Sequence, residues 1–429
     1  MRANNPGIRR PSGRPRPQTG RRARPLALVS AAAAALLLTA CGQAAPAGSS
    51  STAGSATSDS GKQEAASATP RLVMTYDGGI MTMDAASLEV IAEEPLAGFN
   101  RLSPAGDGRH VLVSTGDAFK VYDAGAWSSK HGDHAHHYTV RPGLTSTEFA
   151  ASEPGHAVRH AGATALFSDG TGRVEIFDPS GLADGKPEGR VHALEHAHHG
   201  VAVPLDDGGL LVTLGTEESR SGVAVLDADG KELARNEHCP GAHGEAVAEG
   251  AIVVGCEDGL MIYRDGKTTK VDSPDGYGRI GNQAGTEEST VVLGDYKVDP
   301  EAELERPERI SLIDTATGKL RLVDLGTSYS FRSLGRGPEG EALVLGTDGF
   351  LHVIDPDSGA LMNRIPVVDD WSEPLEWQEP RPALFVQGGA AYVTDPAEQK
   401  LHAVDLDTGK VASTAELPHV PNEITGISG

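Results

Sequence analysis

Basic residues are scarce in this 429-residue chain, in which 37 Lys and Arg stand against 60 Asp and Glu. Residues 1–69 hold nine of the basic residues and two of the acidic ones, which leaves 28 against 58 and a formal charge of −30 over the remainder. Such an acidic surface repels phosphate backbones and anionic lipid surfaces, and it attracts cations. This shortage of basic residues argues against nucleic acid as a partner, but it does not indicate which cation the protein would bind.

The apolar run at 26–38 is too short and too rich in alanine for a comfortable membrane span. It follows an Arg- and Pro-rich segment and ends Leu38-Thr39-Ala40-Cys41-Gly42, where small residues precede a cysteine as in a bacterial lipobox. We predict a lipoprotein signal peptide over 1–40, and then lipidated Cys41 with a flexible Gly/Ser/Ala tether over 41–69. The domain at 70–429 would be exported and anchored by its lipid to the outer face of the cytoplasmic membrane. A plain secretory signal is the alternative.

Cysteine is also rare, with three residues in the whole chain. If lipid modifies Cys41, only Cys239 and Cys256 remain. An even pair in an exported domain predicts a disulfide. The alternative is that both thiols bind a metal.

No amphipathic helical stretch interrupts residues 70–429, and aromatic residues make up only 4% of the chain, which has 53 glycines. An apolar strand, a turn containing Asp or Gly, and a second strand recur along the whole length, as in 343–355 and 391–405. Short strands bounded by turn residues indicate an all-β fold. A repeat of about 45 residues with four strands predicts a β-propeller.

We count eight four-stranded blades, which start near residues 72, 99, 156, 198, 243, 280, 331 and 382. The first blade lacks an obvious inner strand, and the C-terminal segment 422–427 could supply it and close the ring. Closure removes the open sheet edges that invite aggregation. Seven blades remain the alternative.

Four histidines and an aspartate fall within seven residues, in the run His131-Gly132-Asp133-His134-Ala135-His136-His137. Neutral imidazole suits zinc, copper and nickel. His134 and His136 are two residues apart, so they project from the same face of an extended backbone. The run lacks the His-Glu-x-x-His spacing of zinc hydrolases. We predict a metal site in a long, mobile loop, and the alternative is a solvated loop that binds metal adventitiously.

A second set of histidines enters blades three to five, where the chain approaches each inner strand around the central channel. Its candidate ligands are His156, His160, His196, His198, His199, His243 and Glu245. This position predicts a preorganised metal site, on the face opposite to the 131–137 run. The alternative is a scatter of surface and core histidines, as we expect for His110, His352, His402 and His419.

An enzyme on this scaffold would need features that the sequence does not display. No nucleophile with a paired base and no phosphate-binding loop stands out. Arg279, Asn282, Arg332 and Arg381 enter blades six to eight on the channel face, so a small anionic ligand stays possible. The alternatives to a metal-binding function are a quinoprotein dehydrogenase-like or lactonase-like propeller enzyme and a metal-free protein-binding scaffold.

The sequence resembles the AztD family of extracytoplasmic zinc metallochaperones over nearly all of residues 71–427. The motifs that carry the resemblance are the 131–138 run and the segments 154–160, 198–203, 239–246, 277–282, 294–297 and 371–374. The lipobox and tether depart from the soluble family pattern.

The resemblance implies a propeller that is not an enzyme, that binds Zn(II) and that passes it to the solute-binding protein of a zinc ABC importer. Imidazole and carboxylate ligands suit a site that must both bind and exchange its ion. Because imidazole binds metal as the neutral base, we expect binding to weaken below about pH 6. Carboxylates such as Asp133 or Glu195 would orient the rings.

Overall fold

The computed structural model describes residues 61–429, which form β-strands and one 3-10 helix, Pro179–Asp184. The predicted signal peptide, Cys41 and most of the predicted tether lie outside these residues. Among the helices of the described part, none has the length and apolar character that crossing a membrane requires.

The strands of the first four blades and their insertions are β1 (Gln63–Ala65), β2 (Arg71–Tyr76), β3 (Gly79–Asp84), β4 (Val90–Pro95), β5 (Arg101–Pro104), β6 (His110–Thr115), β7 (Ala118–Asp123), β8 (Ala126–His131), β9 (His134–Thr139), β10 (Gly143–Ala150), β11 (Pro154–His160), β12 (Ala163–Ser168), β13 (Arg173–Phe177), β14 (Gly189–Ala193), β15 (Ala202–Pro204), β16 (Leu210–Gly215), β17 (Arg220–Leu226) and β18 (Glu232–Asn236). The later strands are β19 (His243–Ala248), β20 (Ala251–Cys256), β21 (Asp258–Arg264), β22 (Lys267–Asp272), β23 (Gly278–Arg279), β24 (Gln283–Ala284), β25 (Val291–Gly294), β26 (Arg309–Asp314), β27 (Lys319–Asp324), β28 (Leu334–Arg336), β29 (Ala342–Leu345), β30 (Phe350–Ile354), β31 (Leu361–Pro366), β32 (Leu384–Gln387), β33 (Ala390–Asp395), β34 (Lys400–Asp405), β35 (Lys410–Glu416) and β36 (Ile424–Ile427).

Thirty-two of these strands form eight four-stranded antiparallel sheets, the blades of a β-propeller. From the innermost strand outwards the blades are β36-β2-β3-β4, β5-β6-β7-β10, β11 to β14, β15 to β18, β19 to β22, β24 to β27, β28 to β31 and β32 to β35. The predicted all-β propeller is confirmed with eight blades rather than seven. The seven inner strands that follow the first blade begin within a few residues of their predicted starts.

The core consists of eight apolar clusters, one between each pair of adjacent blades. Successive residues of a strand point to opposite faces of its sheet. In β2, Leu72 and Met74 therefore pack towards blade eight, whereas Val73 packs towards blade two. Because both faces of each blade are buried, the second strands read as continuous apolar runs.

The ring is closed by its two chain ends. β36 supplies the inner strand of blade one and pairs antiparallel with β2, from Arg71 opposite Ile427 to Met74 opposite Ile424. This confirms the predicted role of the C-terminal segment. The first and last parts of the domain are thus joined by backbone hydrogen bonds.

Two segments beside blade two that we predicted to be irregular form β-strands instead. The 131–137 run is not an irregular loop, because β8 and β9 form a hairpin between the third and fourth strands of that blade. Gly132 adopts a φ of +62° and makes the tight turn possible. Residues 63–65, predicted as flexible tether, form β1 and pair with β9. A hairpin edge offers free backbone groups, which explains why the approaching chain becomes ordered there.

We predict that Gly426→Ala will destabilise the closed ring. A Cβ atom at this position of β36 would lie 2.8 Å from the Arg71 carbonyl oxygen and would also meet the Gln387 and Phe385 side chains. Forced overpacking costs about 1–3 kcal/mol, which urea unfolding should detect. Gly389→Ala is the matched control, because its added Cβ would meet nothing within 4 Å. Equal stabilities of the two variants would contradict this account of the closure.

Candidate metal centres

Three histidines from consecutive blades meet at the mouth of the central channel. His156 lies in β11, His199 comes shortly before β15, and His243 begins β19. One ring nitrogen of each lies within 4.8 Å of the others. The ring centroids are 5.2 Å apart for His156–His199 and His199–His243, and 6.0 Å apart for His156–His243. We call these three side chains the blade trio.

Irregular strand pairing aims two of these rings. The register between β11 and β12 shifts between Pro154 and Ala157, and that between β19 and β20 shifts between His243 and Glu245. A bulge bends its strand and re-aims the neighbouring side chain. Gly244 has a φ of +70°, a left-handed conformation that glycine adopts without a steric penalty.

The Nδ1 atom of each trio ring lies beside an acceptor oxygen. In blade three it lies 3.4 Å from the Glu245 carboxylate, and in blade four it lies 2.5 Å from the Asp169 carboxylate. In blade five it donates to the Gly281 carbonyl oxygen at 2.7 Å. Metal-binding histidines almost always donate their other N–H in this way, which fixes the tautomer and raises the basicity of the free nitrogen.

The remaining ring nitrogens of the trio converge. The Nε2 atoms of His199 and His243 are 3.3 Å apart. Burial, reinforced by the nearby His156, lowers the pKa of His243 to about 3, so its ring is neutral at physiological pH. Neutral imidazole is the form that binds a divalent metal. The blade trio therefore offers three metal ligands without prior loss of a proton from His243.

The trio opens into a cavity of about 540 Å³ at the channel mouth. The arginines at this cavity that could bind an anionic ligand already have acidic partners. Arg332 contacts Glu423 at 2.8 Å, Arg381 contacts Glu373 at 2.6 Å, and Arg279 has a carboxylate within 3.6 Å. The cavity therefore leaves a metal bound by the trio open to exchange, while these three arginines are committed to ion pairs.

The predicted disulfide between Cys239 and Cys256 is present, and it lies next to the part of blade five that carries His243. It joins the segment that leads into β19 to the end of β20. His243 pairs with Gly255, the residue before the second cysteine. The cross-link therefore fixes both sides of the backbone that carries this histidine.

A second group forms on the hairpin, where His131, His134 and His136 bring ring nitrogens within 4.8 Å of one another. His131 stands opposite His134 in the β8–β9 register, and His136 is two residues further along the same face. We call these three the hairpin trio. Its side chains are 55% exposed for His134 and 39% for His136, whereas those of His156 and His199 in the blade trio are 22% and 40% exposed.

Carboxylates also hold rings of the hairpin trio. The Nδ1 atom of His134 lies 3.3 Å from Asp133, and that of His136 lies 3.0 Å from Glu64 of β1. The orienting role expected for Asp133 agrees with this contact. His137, a predicted ligand, does not join the trio: it points to the other face of the hairpin, where its Nδ1 lies 2.7 Å from the Ser128 hydroxyl.

Three of the predicted blade ligands lie apart from the trio. His160 is at the far end of β11 and its Nδ1 donates to the Pro204 carbonyl oxygen at 2.6 Å. His198 is buried and both of its ring nitrogens are engaged, one by the Thr213 hydroxyl. His196 is exposed beside Glu195, 3.7 Å away. The predicted group was too large because neighbouring residues of an entry segment point in different directions.

Sequence reasoning missed the acceptors Asp169, Gly281 and Glu64. Asp169 belongs to an Asp-Gly turn after the second strand of blade three, on the trio face, so the repeat itself was a usable signal. Gly281 acts through its backbone, and Glu64 is 72 residues from the histidine it contacts. Neither has a local sequence signature.

No protein-family model matches the chain. The zinc chaperone AztD of Citrobacter koseri is 27% identical over 361 residues, which cover 80% of this chain and 83% of that protein. Crystallographic AztD from the same organism and its apo form match with TM-scores of 0.73, at 26% and 25% identity. They cover 85% of this chain and 99% and 100% of their own. The resemblance to the AztD family is thus confirmed, and likeness to a chaperone supports the prediction that this chain is not an enzyme.

We predict that replacing both Cys239 and Cys256 by alanine will lower stability by about 3 kcal/mol, the chain-entropy value for a loop near 15 residues. Chemical unfolding with and without reductant measures the loss. The wild-type protein should lose a comparable amount of stability in reductant, whereas the variant should be insensitive to it. Reductant sensitivity of the variant would show that the loss does not come from this bond.

We also predict that the two trios differ in affinity. Alanine at His199 and His243 should abolish the tighter zinc site, because strands of three blades hold that trio in place. Alanine at His134 and His136 should slow capture or transfer and leave one tightly bound zinc. Titration against a competing chelator distinguishes the two variants, with His196→Ala as a control outside both trios. Loss of the tight site in the hairpin variant alone would reverse the assignment.

Proposed function

We propose that this protein is an extracytoplasmic zinc metallochaperone, which binds Zn(II) as cargo and hands it to the solute-binding protein of a zinc ABC importer. The observation that carries the proposal is the blade trio, in which each ring has its Nδ1 beside an acceptor and the free nitrogens converge. Imidazole alone would also suit copper or nickel. The similarity to a zinc chaperone favours zinc.

The blade trio acts as the storage site in this proposal. His156, His199 and His243 supply three ligands, Asp169 holds the His199 ring, and Glu245 lies beside the His156 ring. Three protein ligands leave at least one zinc position open, and zinc readily expands its coordination when another ligand approaches. The ion can therefore be held tightly and still be removed by ligand exchange from the cavity side.

The hairpin trio acts as the capture or hand-over site. Its three rings belong to one hairpin rather than to three blades, and its most exposed measured ring, His134 at 55%, is more open to solvent than His199 at 40%. Asp133 and Glu64 place negative charge beside His134 and His136, which favours a divalent cation. A less constrained and better hydrated site binds more weakly and exchanges faster.

Anchoring by lipid at Cys41 on the outer face of the cytoplasmic membrane would keep the chaperone beside its importer. An exported location is supported by the similarity to AztD and by the disulfide, which persists in oxidising compartments. Contact with the membrane would be through the lipid alone. Metabolic labelling with a fatty acid, with Cys41→Ala as the control, tests this part separately.

We predict one or two zinc ions per chain after zinc loading and desalting, with little copper or manganese retained after competition. The apo solute-binding protein, added to the loaded chaperone, should acquire zinc faster than spontaneous release to a dilute chelator allows. Elemental analysis and a stopped-flow zinc indicator provide the two measurements. Absence of stoichiometric zinc would contradict the chaperone function. Transfer that is no faster than spontaneous release would contradict direct hand-over to the solute-binding protein.

A further inference from the structure

Two long connections border the cavity that the blade trio faces. Residues 295–308 join β25 to β26 in blade six, and residues 367–383 join blade seven to β32 of blade eight. We call them the rim loops. Leu304 and Glu305 of the first, and Leu375 and Trp377 of the second, line the same cavity as the trio.

The second rim loop is held by contacts that do not involve its exposed apolar side chains. Arg381 and Glu373 form a buried ion pair at 2.6 Å, with side chains only 1% and 5% exposed. Arg306 of the first rim loop donates to the Glu373 carbonyl oxygen at 2.8 Å, so the two loops are joined. The Trp371 ring N–H donates to the Gly346 carbonyl oxygen at 2.9 Å. Several contacts that hold the loop are therefore made without Leu375 or Trp377.

Leu375 and Trp377 are nevertheless 59% and 49% exposed. Trp377 is kept in position by an edge contact with Phe99, with centroids 5.0 Å apart, and by Arg101, 5.9 Å from its ring centre. Exposed aromatic anchors on a rigid support are typical hot spots of protein interfaces, because little side-chain freedom is lost on binding. Their exposure is unfavourable for the isolated domain.

The rim loops are strongly acidic. Residues 295–308 contain six acidic and two basic residues, and residues 367–383 contain five and one, which gives a formal charge of −8. The carboxylates of Asp369, Asp370, Glu376 and Glu379 belong to exposed residues. A protein surface complementary to this rim must carry positive charge around an apolar recess.

We propose that the rim loops are the docking surface for the protein that exchanges zinc with the blade trio, and that Trp377 and Leu375 enter an apolar recess on its basic surface. This inference rests on the proposed function, because the trio exchanges its ion through the cavity that these loops border. A protein that reaches the trio from the channel mouth must contact the rim.

The test compares zinc transfer from two surface variants to the purified apo solute-binding protein of the importer. Leu375→Ser with Trp377→Ser removes the anchors, and Leu361→Ser with Met362→Ser is the matched control on β31, at 56% and 59% exposure. Stopped-flow transfer rates are measured over a range of acceptor concentrations. The anchor variant should lose about tenfold or more in the second-order rate constant, with chelator-measured zinc affinity unchanged, and the control should match wild type.

A second test changes the charge of the rim loops and leaves the apolar anchors Leu375 and Trp377 unchanged. Asp369→Lys with Asp370→Lys should slow transfer and weaken its dependence on salt, because wild-type association is steered by opposite charges. Wild-type rates in the anchor and lysine variants would overturn the docking surface while leaving the chaperone function standing. Absence of transfer by the wild-type protein would overturn both. A wild-type dimer that the anchor variant converts to monomer in sedimentation would overturn docking in favour of self-association.

Discussion

The antiparallel pairing of β2 with β36 is the constraint on which the rest of the structure depends. It turns a row of eight sheets into a ring, and each blade is then packed between two neighbours. The blade trio has no geometry of its own outside this ring, because its members lie about 40 residues apart and come from separate sheets. A local motif builds a site from one element, whereas here the curvature of the whole ring sets the spacing of the ligands.

The two trios illustrate different ways of holding the same kind of side chain. On the hairpin, strand alternation alone brings the rings together. His131 and His134 are paired across the two strands, and His136 lies two residues further along the same face. At the channel mouth, bulges, a left-handed glycine and acceptors from other strands are all needed. The entry segments and the hairpin emerge at opposite ends of the antiparallel blades. One chain therefore presents imidazoles in two directions.

The repeat made the propeller and its closure predictable, since apolar strands and Asp or Gly turns are local features. The entry of His156, His199 and His243 into successive blades followed from the same repeat. Side-chain direction within an entry segment did not, which is why His198 and His160 were grouped with them. The order of the 131–137 run could have been recognised from Gly132-Asp133, a hairpin turn pair. Its pairing with β1 could not, because strand Gln63–Ala65 becomes ordered only against a distant edge.

The disulfide beside His243 changes the chemistry of the site as well as its rigidity. Both sulfur atoms are buried and bonded to each other, so neither is a thiolate. Thiolate is the soft donor that favours Cu(I), whereas imidazole favours borderline ions. Oxidation of this pair thus withdraws the soft donors from the neighbourhood of the blade trio. A bond shielded from solvent exchanges slowly with external thiols, so brief contact of the folded protein with a reductant leaves this discrimination in place.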